Sequence, residues 1–158
     1  MQHYFEVVSI EGKDLGCVAL KDLKKGTLVL KEKPQFVSVT ESSGMWKKES
    51  YSEVLSNFNS MSKSNQVDYL KLSNQFKELG VNKSKISTTE NCEILEQIIG
   101  IYETNKFKGG VGIQASRFNH SCSSNAEGVW NKEESTREFR VIKKISLVTD
   151  LKGVNVFR

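Results

Sequence analysis

The sequence predicts a mixed α+β fold in which short strands flank a helical insertion. Three observations carry that reading. Apolar runs broken by glycine fill the N-terminal part, the hydrophobic period becomes helical at about residue 44, and strand-like runs return after Gly109. The insertion is about sixty residues long, and the connections between strands are long relative to the strands themselves.

Each element has a local cause. Tyr4-Phe5-Glu6-Val7-Val8 is rich in strand formers, and Gly12 and Gly16 bracket a turn before Cys17-Val18-Ala19-Leu20. Lys24-Lys25-Gly26 makes a second turn into Thr27-Leu28-Val29-Leu30. Pro34, the only proline, links to Phe36-Val37-Ser38-Val39. Ser50-x-x-Glu53 is a capping-box pattern, with Val54, Phe58 and Met61 following on one helical face. A second stripe after Asn65 joins Tyr69, Leu72, Phe76 and Leu79, and Gly80 is placed to end that helix. Ser87-x-x-Glu90 opens a third helix carrying Ile94, Ile98 and Ile101. The Ser/Asn/Lys-rich pieces 56–65 and 82–89 read as polar loops, and the stripes read as packing faces. Gly109 to Gly112 gives a flexible lead-in, and Gly128-Val129-Trp130 and Glu138 to Ile142 are strand-like.

Composition excludes several classes. The chain has 158 residues, 37% of them hydrophobic, enough for one modest core. Its 23 Lys+Arg against 19 Asp+Glu give a net charge of +4. That is short of the clustered excess of a dedicated nucleic-acid binder. The apolar runs are too short for a membrane span, and the N-terminal residues lack the layout of a secretory signal. Cys17, Cys92 and Cys122 are far apart, without a CxxC pair, which argues against a disulfide framework or a four-ligand zinc site. The expectation is an intracellular, metal-free protein, in cytoplasm or nucleus, with neither direct nucleic-acid binding nor a membrane partner.

The segment richest in chemistry is Arg117-Phe118-Asn119-His120-Ser121-Cys122-Ser123-Ser124-Asn125-Ala126. By composition alone it is a polar loop with one buried thiol. In order, Asn-His-Ser-Cys followed closely by Asn-Ala resembles the signature of SET-domain protein methyltransferases. Gly12 to Ala19 resembles that family's glycine-rich cofactor loop, and Asp22 to Thr27 the turn and strand after it. Asn105-Lys106-Phe107 and Gly110-Val111-Gly112 resemble the run-up to Asn-His-Ser-Cys in the SET and MYND branch, here without the MYND zinc module. Thr136 to Ile145 resembles the strand pair that follows.

The resemblance implies a SET-type fold of short curved sheets. Its N-terminal half is 1–43, the helical insertion 44–105, the C-terminal half 106–147 and a divergent tail 148–158. It implies S-adenosyl-L-methionine (AdoMet) as cofactor and a protein with a target lysine as partner. Lys13, Leu15 and Gly16 are implied to line the methionine end, Asn119 and His120 to hold the methionine amine and the adenine, and Asn105 to add a polar contact. Phe118 and Cys122 are expected to be packing residues. The chemistry is coherent, because methyl transfer needs an in-line geometry and a neutral amine rather than a metal. A free lysine amine has a pKa of about 10.4, and a dry channel disfavours its charged form.

The sequence departs from the family pattern at three places. Asp14 stands where the cofactor loop has its first glycine, adding a carboxylate beside the methionine end. Ser124 replaces a proline. After Ile145 the family runs into Gly-Glu-Glu and a channel-lining tyrosine, whereas here gapless counting gives Val148-Thr149-Asp150 and Asn155. No tyrosine follows Tyr102, so the sequence offers no catalytic residue of that type. The abrupt divergence reads as a changed frame or exon end, hence an impaired, truncated enzyme. A non-catalytic module that keeps the fold and binds a partner remains the alternative.

Overall fold

Short strands that bury apolar side chains build two small sheets, and the helices build a second core of their own. The computed structural model describes residues 4–11, 14–35, 48–78, 92–107 and 110–147. It divides into two units, Met1–Pro34 with Gln114–Arg158, and Gln35–Ile113. This division lies outside the sequence-drawn insertion of 44–105 at both ends.

In the first unit, β1 (Phe5–Ile10) pairs antiparallel with β2 (Asp14–Ala19), from Phe5 opposite Ala19 to Ile10 opposite Asp14. Cys17, Val18 and Ala19 are each 1% exposed. Successive strand residues point to opposite faces, so β2 is covered on both. The second sheet has the order β3-β5-β4, from β3 (Leu28–Glu32), β4 (Ala126–Asn131) and β5 (Thr136–Val141). Register shifts between Leu28 and Leu30, where an irregularity lets buried Val29 into the core.

β5 is central and carries charge. Glu138 accepts from Asn131 Nδ2 at 3.1 Å and from Arg140 Nη2 at 2.8 Å. Lys31 on β3 bridges to Glu138 at 3.9 Å and to Glu134. The hydrogen bonds from Asn131, then Arg140, hold the Glu138 carboxyl below its usual range.

The second unit forms around α4 (Cys92–Asn105), with α1 (Lys48–Ser60), α2 (Lys63–Leu70) and α3 (Gln75–Glu78) packed against it. Val54, Phe58, Tyr69, Leu72, Ile98, Ile101, Tyr102 and Val111 form its core. Buried Tyr69 donates its hydroxyl to Ile98 O at 2.9 Å, and burial pushes that phenol well up.

Three expectations are corrected here. The supposed loop 56–65 is mostly helix: α1 runs to Ser60, and α2 starts at Lys63 behind the N-cap Ser62. Its serines and asparagines lie largely on exposed positions, and Ser60 Oγ returns a bond to Ser56 O at 2.9 Å. Ser50 lies inside α1 rather than capping it. The single stripe through Tyr69, Leu72 and Phe76 is broken between α2 and α3, because long-range partners claim the link. Asn74 Nδ2 donates to Gln97 O at 3.4 Å, and Ser73 O accepts from Asn105 Nδ2 at 2.7 Å. Phe36–Val39, Leu79, Gly80 and the Ser87–Glu90 box lie outside the described residues.

Glu138 yields a pH prediction. A carboxyl held lower in the folded state than in the unfolded one contributes stability above its unfolded pKa, and that contribution fades as pH falls through the folded value. Denaturant melts of wild type against Glu138→Gln should therefore show a stability difference near neutrality that shrinks on acidification below pH of about 4.5. A pH-independent difference would contradict the assignment.

Candidate functional site

The site begins with a carboxylate at the end of β3. Glu32 Oε1 accepts from Gln114 N at 2.9 Å and Oε2 from Ala115 N at 2.8 Å. Both oxygens therefore hold the start of a 3₁₀ turn, Ala115–Arg117, whose first amides have no partner within the turn. Phe118 closes that turn and is fully buried. Its ring meets Phe5 of β1 edge-on at 4.9 Å and Phe139 of β5 at 4.7 Å. The aromatic wedge joins the two sheets of the first unit and sets the direction in which Asn119 leaves the turn.

Asn119 comes to rest over β2. Its Nδ2 lies 3.4 Å from Leu15 O, a long hydrogen bond. A Cβ built on Gly16 would run into that same Asn119 Nδ2 and into Ile10 Cδ1. A side chain at this position would displace the Asn119 amide and the end of Ile10, so glycine lets an amide side chain lie against the strand backbone. Among the described residues no second hydrogen bond engages the Asn119 amide, and the side chain is half-buried. One carbonyl acceptor, one two-way amide and bare backbone are therefore gathered at one spot.

His120 follows on the exposed side, its Nε2 3.6 Å from Cys122 Sγ. Cys122 itself is exposed, which corrects the expectation that it packs. The reason is local: the chain turns here, with Ser123 N donating to Ser121 Oγ at 3.2 Å, so the thiol is carried outward. Phe118 packs as expected. The buried thiol of the first unit is instead Cys17, pushed up to about 12 by desolvation despite the lowering field of Arg117. It is neutral and unreactive at ordinary pH.

The other expected residues fall elsewhere. Asn105 is 1% exposed in the helical unit, where its Nδ2 donates to Ser73 O at 2.7 Å and Ile101 O at 2.8 Å. One amide hydrogen ties the end of α4 to the α2–α3 link, and the other returns to Ile101 within α4 itself. Lys13, the side chain of Asp14, and residues 148–158 with Asn155 lie outside the described residues. Leu15, Gly16 and Asn119 are brought together in the first unit, and His120 follows Asn119 on the exposed side. Glu32 escaped the sequence reading because its partners are 82 and 83 residues away and nothing local marks it.

Comparison with known proteins decides the family. A family model of the SET domain matches residues 14–151. This chain belongs to the SET-domain family. A search of curated protein sequences finds no match. Among solved structures, the SET domain of LSMT bound to lysine and AdoHcy is similar, with a TM-score of 0.57 and 14% identity, covering 99% of this chain and 49% of that one. Rubisco LSMT bound to AdoMet gives a TM-score of 0.56 at 12% identity, covering 99% and 48%. The present chain spans about half the length of those two. They establish the fold: a SET-like arrangement of small antiparallel sheets and helices.

The Glu32 anchor can be tested alone. Glu32→Gln replaces one acceptor oxygen by a donor facing backbone amides, at a cost of roughly 1–3 kcal/mol. Hydrogen exchange should speed up about tenfold or more at the Gln114 and Ala115 amides. Amides of the β4–β5 pair should be little changed. Unchanged protection at Gln114 and Ala115 would show that the carboxylate does not hold the turn.

Proposed function

We propose that this chain belongs with the AdoMet-dependent protein-lysine N-methyltransferases and that its site is impaired at the C-terminal end. One observation carries the cofactor assignment: the Asn119 amide lies on Gly16 beside the Leu15 carbonyl. That set of acceptor oxygens suits the ammonium end of a methionine moiety, which needs acceptors and close backbone approach. Two structures of the same fold carry AdoMet, or lysine with AdoHcy, which supports the choice of ligand. When bound, AdoMet supplies a methyl group on a sulfonium, an electrophile that requires no metal.

The chain's own residues then bind and orient. Leu15 O and Asn119 Oδ1 would accept from the ammonium, Gly16 would leave the approach open, and His120 would supply a ring nitrogen at the exposed side. Lys13 completes the set by family resemblance. The partner is a protein bearing a target lysine. The motifs around Asn105–Phe107 and Gly110–Gly112 favour the SET and MYND branch. The isolated cysteines support a reducing intracellular setting, in cytoplasm or nucleus.

Turnover is the weak point. The family's tyrosine position falls on Asn155 by count. Asparagine gives no aromatic wall, so the amine would stay hydrated, protonated and poorly aligned. The same feature favours a second reading, a binding module that keeps the cradle without catalysis. Transfer of labelled methyl groups to a broad protein extract separates them. The native chain should be very slow, and replacing Val148–Arg158 by a Gly-Glu-Glu…Tyr-type ending should raise transfer. Robust native activity without gain on repair would overturn the impaired reading; no transfer by either protein would favour the binding module.

A further inference from the structure

The fold brings together two lysine pairs that are more than a hundred residues apart in the chain. Leu23 and Ile145 exchange backbone hydrogen bonds, Leu23 N to Ile145 O at 2.8 Å and Ile145 N to Leu23 O at 3.0 Å. Three and four residues beyond Leu23, Gly26 N donates to Val141 O at 2.7 Å and Thr27 O accepts from Val141 N at 3.0 Å. Between these ties run Lys24-Lys25 on one segment and Lys143-Lys144 on the other. The tie residues Leu23, Val141 and Ile145 are buried at 1%, 1% and 2% exposure, so the juxtaposition is fixed by the core. All four lysines are exposed.

Like charges facing across paired segments repel and destabilise. Elsewhere the protein offsets such charge: Lys31, Lys71 and Lys106 each meet a carboxylate. Among the described residues none of Lys24, Lys25, Lys143 and Lys144 does. The neighbouring carboxylate, Asp22, has its Oδ1 taken by Leu147 N at 2.7 Å. The patch also abuts the candidate cofactor segment, since Lys143 Nζ lies 3.5 Å from Ser123 Oγ, one residue beyond Cys122.

We propose that Lys24, Lys25, Lys143 and Lys144 form a docking surface for an acidic stretch of the protein whose lysine is methylated. This rests on the methyltransferase reading and adds the substrate class: a target lysine near a run of Asp or Glu. Charge complementarity selects the partner. The patch holds lysines without arginine, and lysine is a flexible point charge rather than a bidentate phosphate fork. No aromatic side chain lies among the four residues to stack a base, and the net charge is only +4. These features favour a carboxylate-rich peptide over nucleic acid.

The test is fluorescence anisotropy of a labelled peptide, one lysine flanked by glutamates, with the full chain and no AdoMet. Binding should weaken about tenfold or more in K24Q/K25Q/K143Q/K144Q, and less in each two-lysine variant. It should be unchanged in K33Q/K132Q, exposed lysines of the same unit. Binding should also weaken between low salt and about 0.15 M ionic strength. Equal peptide affinity in the four-lysine variant and wild type would overturn the proposal. So would an oligonucleotide of equal charge that bound more tightly through the same lysines. Because no cofactor is present, peptide binding that survives in a chain unable to take up AdoMet would count against the methyltransferase reading and leave the docking surface standing.

Discussion

Two hydrogen bonds from Gln114 and Ala115 to the Glu32 carboxylate set the position of the candidate cofactor site in the first unit. A 3₁₀ turn of three residues has little stability of its own, and its first amides need an outside acceptor. With both oxygens of Glu32 supplying one, Phe118 is delivered between Phe5 and Phe139, and Asn119 is delivered onto Gly16. Each link is short and is made by a different kind of force. A charge-assisted bond fixes the turn, aromatic packing fixes its exit, and the missing side chain of a glycine provides the space.

Much of this architecture can be read from residue patterns, and the limits are instructive. Cys17–Ala19, Leu28–Leu30 and Glu138–Val141 announce themselves as strands through runs of apolar and β-branched residues. The helical stripes locate Val54, Phe58, Tyr69 and Ile98 in one core. Pattern fails where the deciding partner is remote. Asn74 and Ser73 leave the helix because α4 offers and takes hydrogen bonds there. Ser56 and Ser60 look like loop residues but bond within α1. Cys122 turns outward because Ser121 and Ser123 form a local turn, which alternation along a strand would not foresee.

The candidate site was legible to a similar degree. Leu15, Gly16, Asn119 and His120 emerge from motif order, and Leu15, Gly16 and Asn119 gather in space, whereas Glu32 carries no local mark. Asn105 shows how one side chain can be recruited for structure: both its hydrogens close the helical unit. The lysine pairs look like ordinary solvated turns in sequence. Only the backbone ties between 23–27 and 141–145 make them one surface.

The central claim is that Gly16 matters because it leaves room for a ligand-binding Asn119. A double-mutant cycle on AdoMet affinity, measured by calorimetry, tests it directly. Asn119→Ala should weaken binding by roughly 1–3 kcal/mol, and Gly16→Ala should weaken it by displacing the same amide. In the Asn119→Ala background, Gly16→Ala should then cost little more. Fully additive losses, or an Asn119→Ala affinity equal to wild type, would contradict the account.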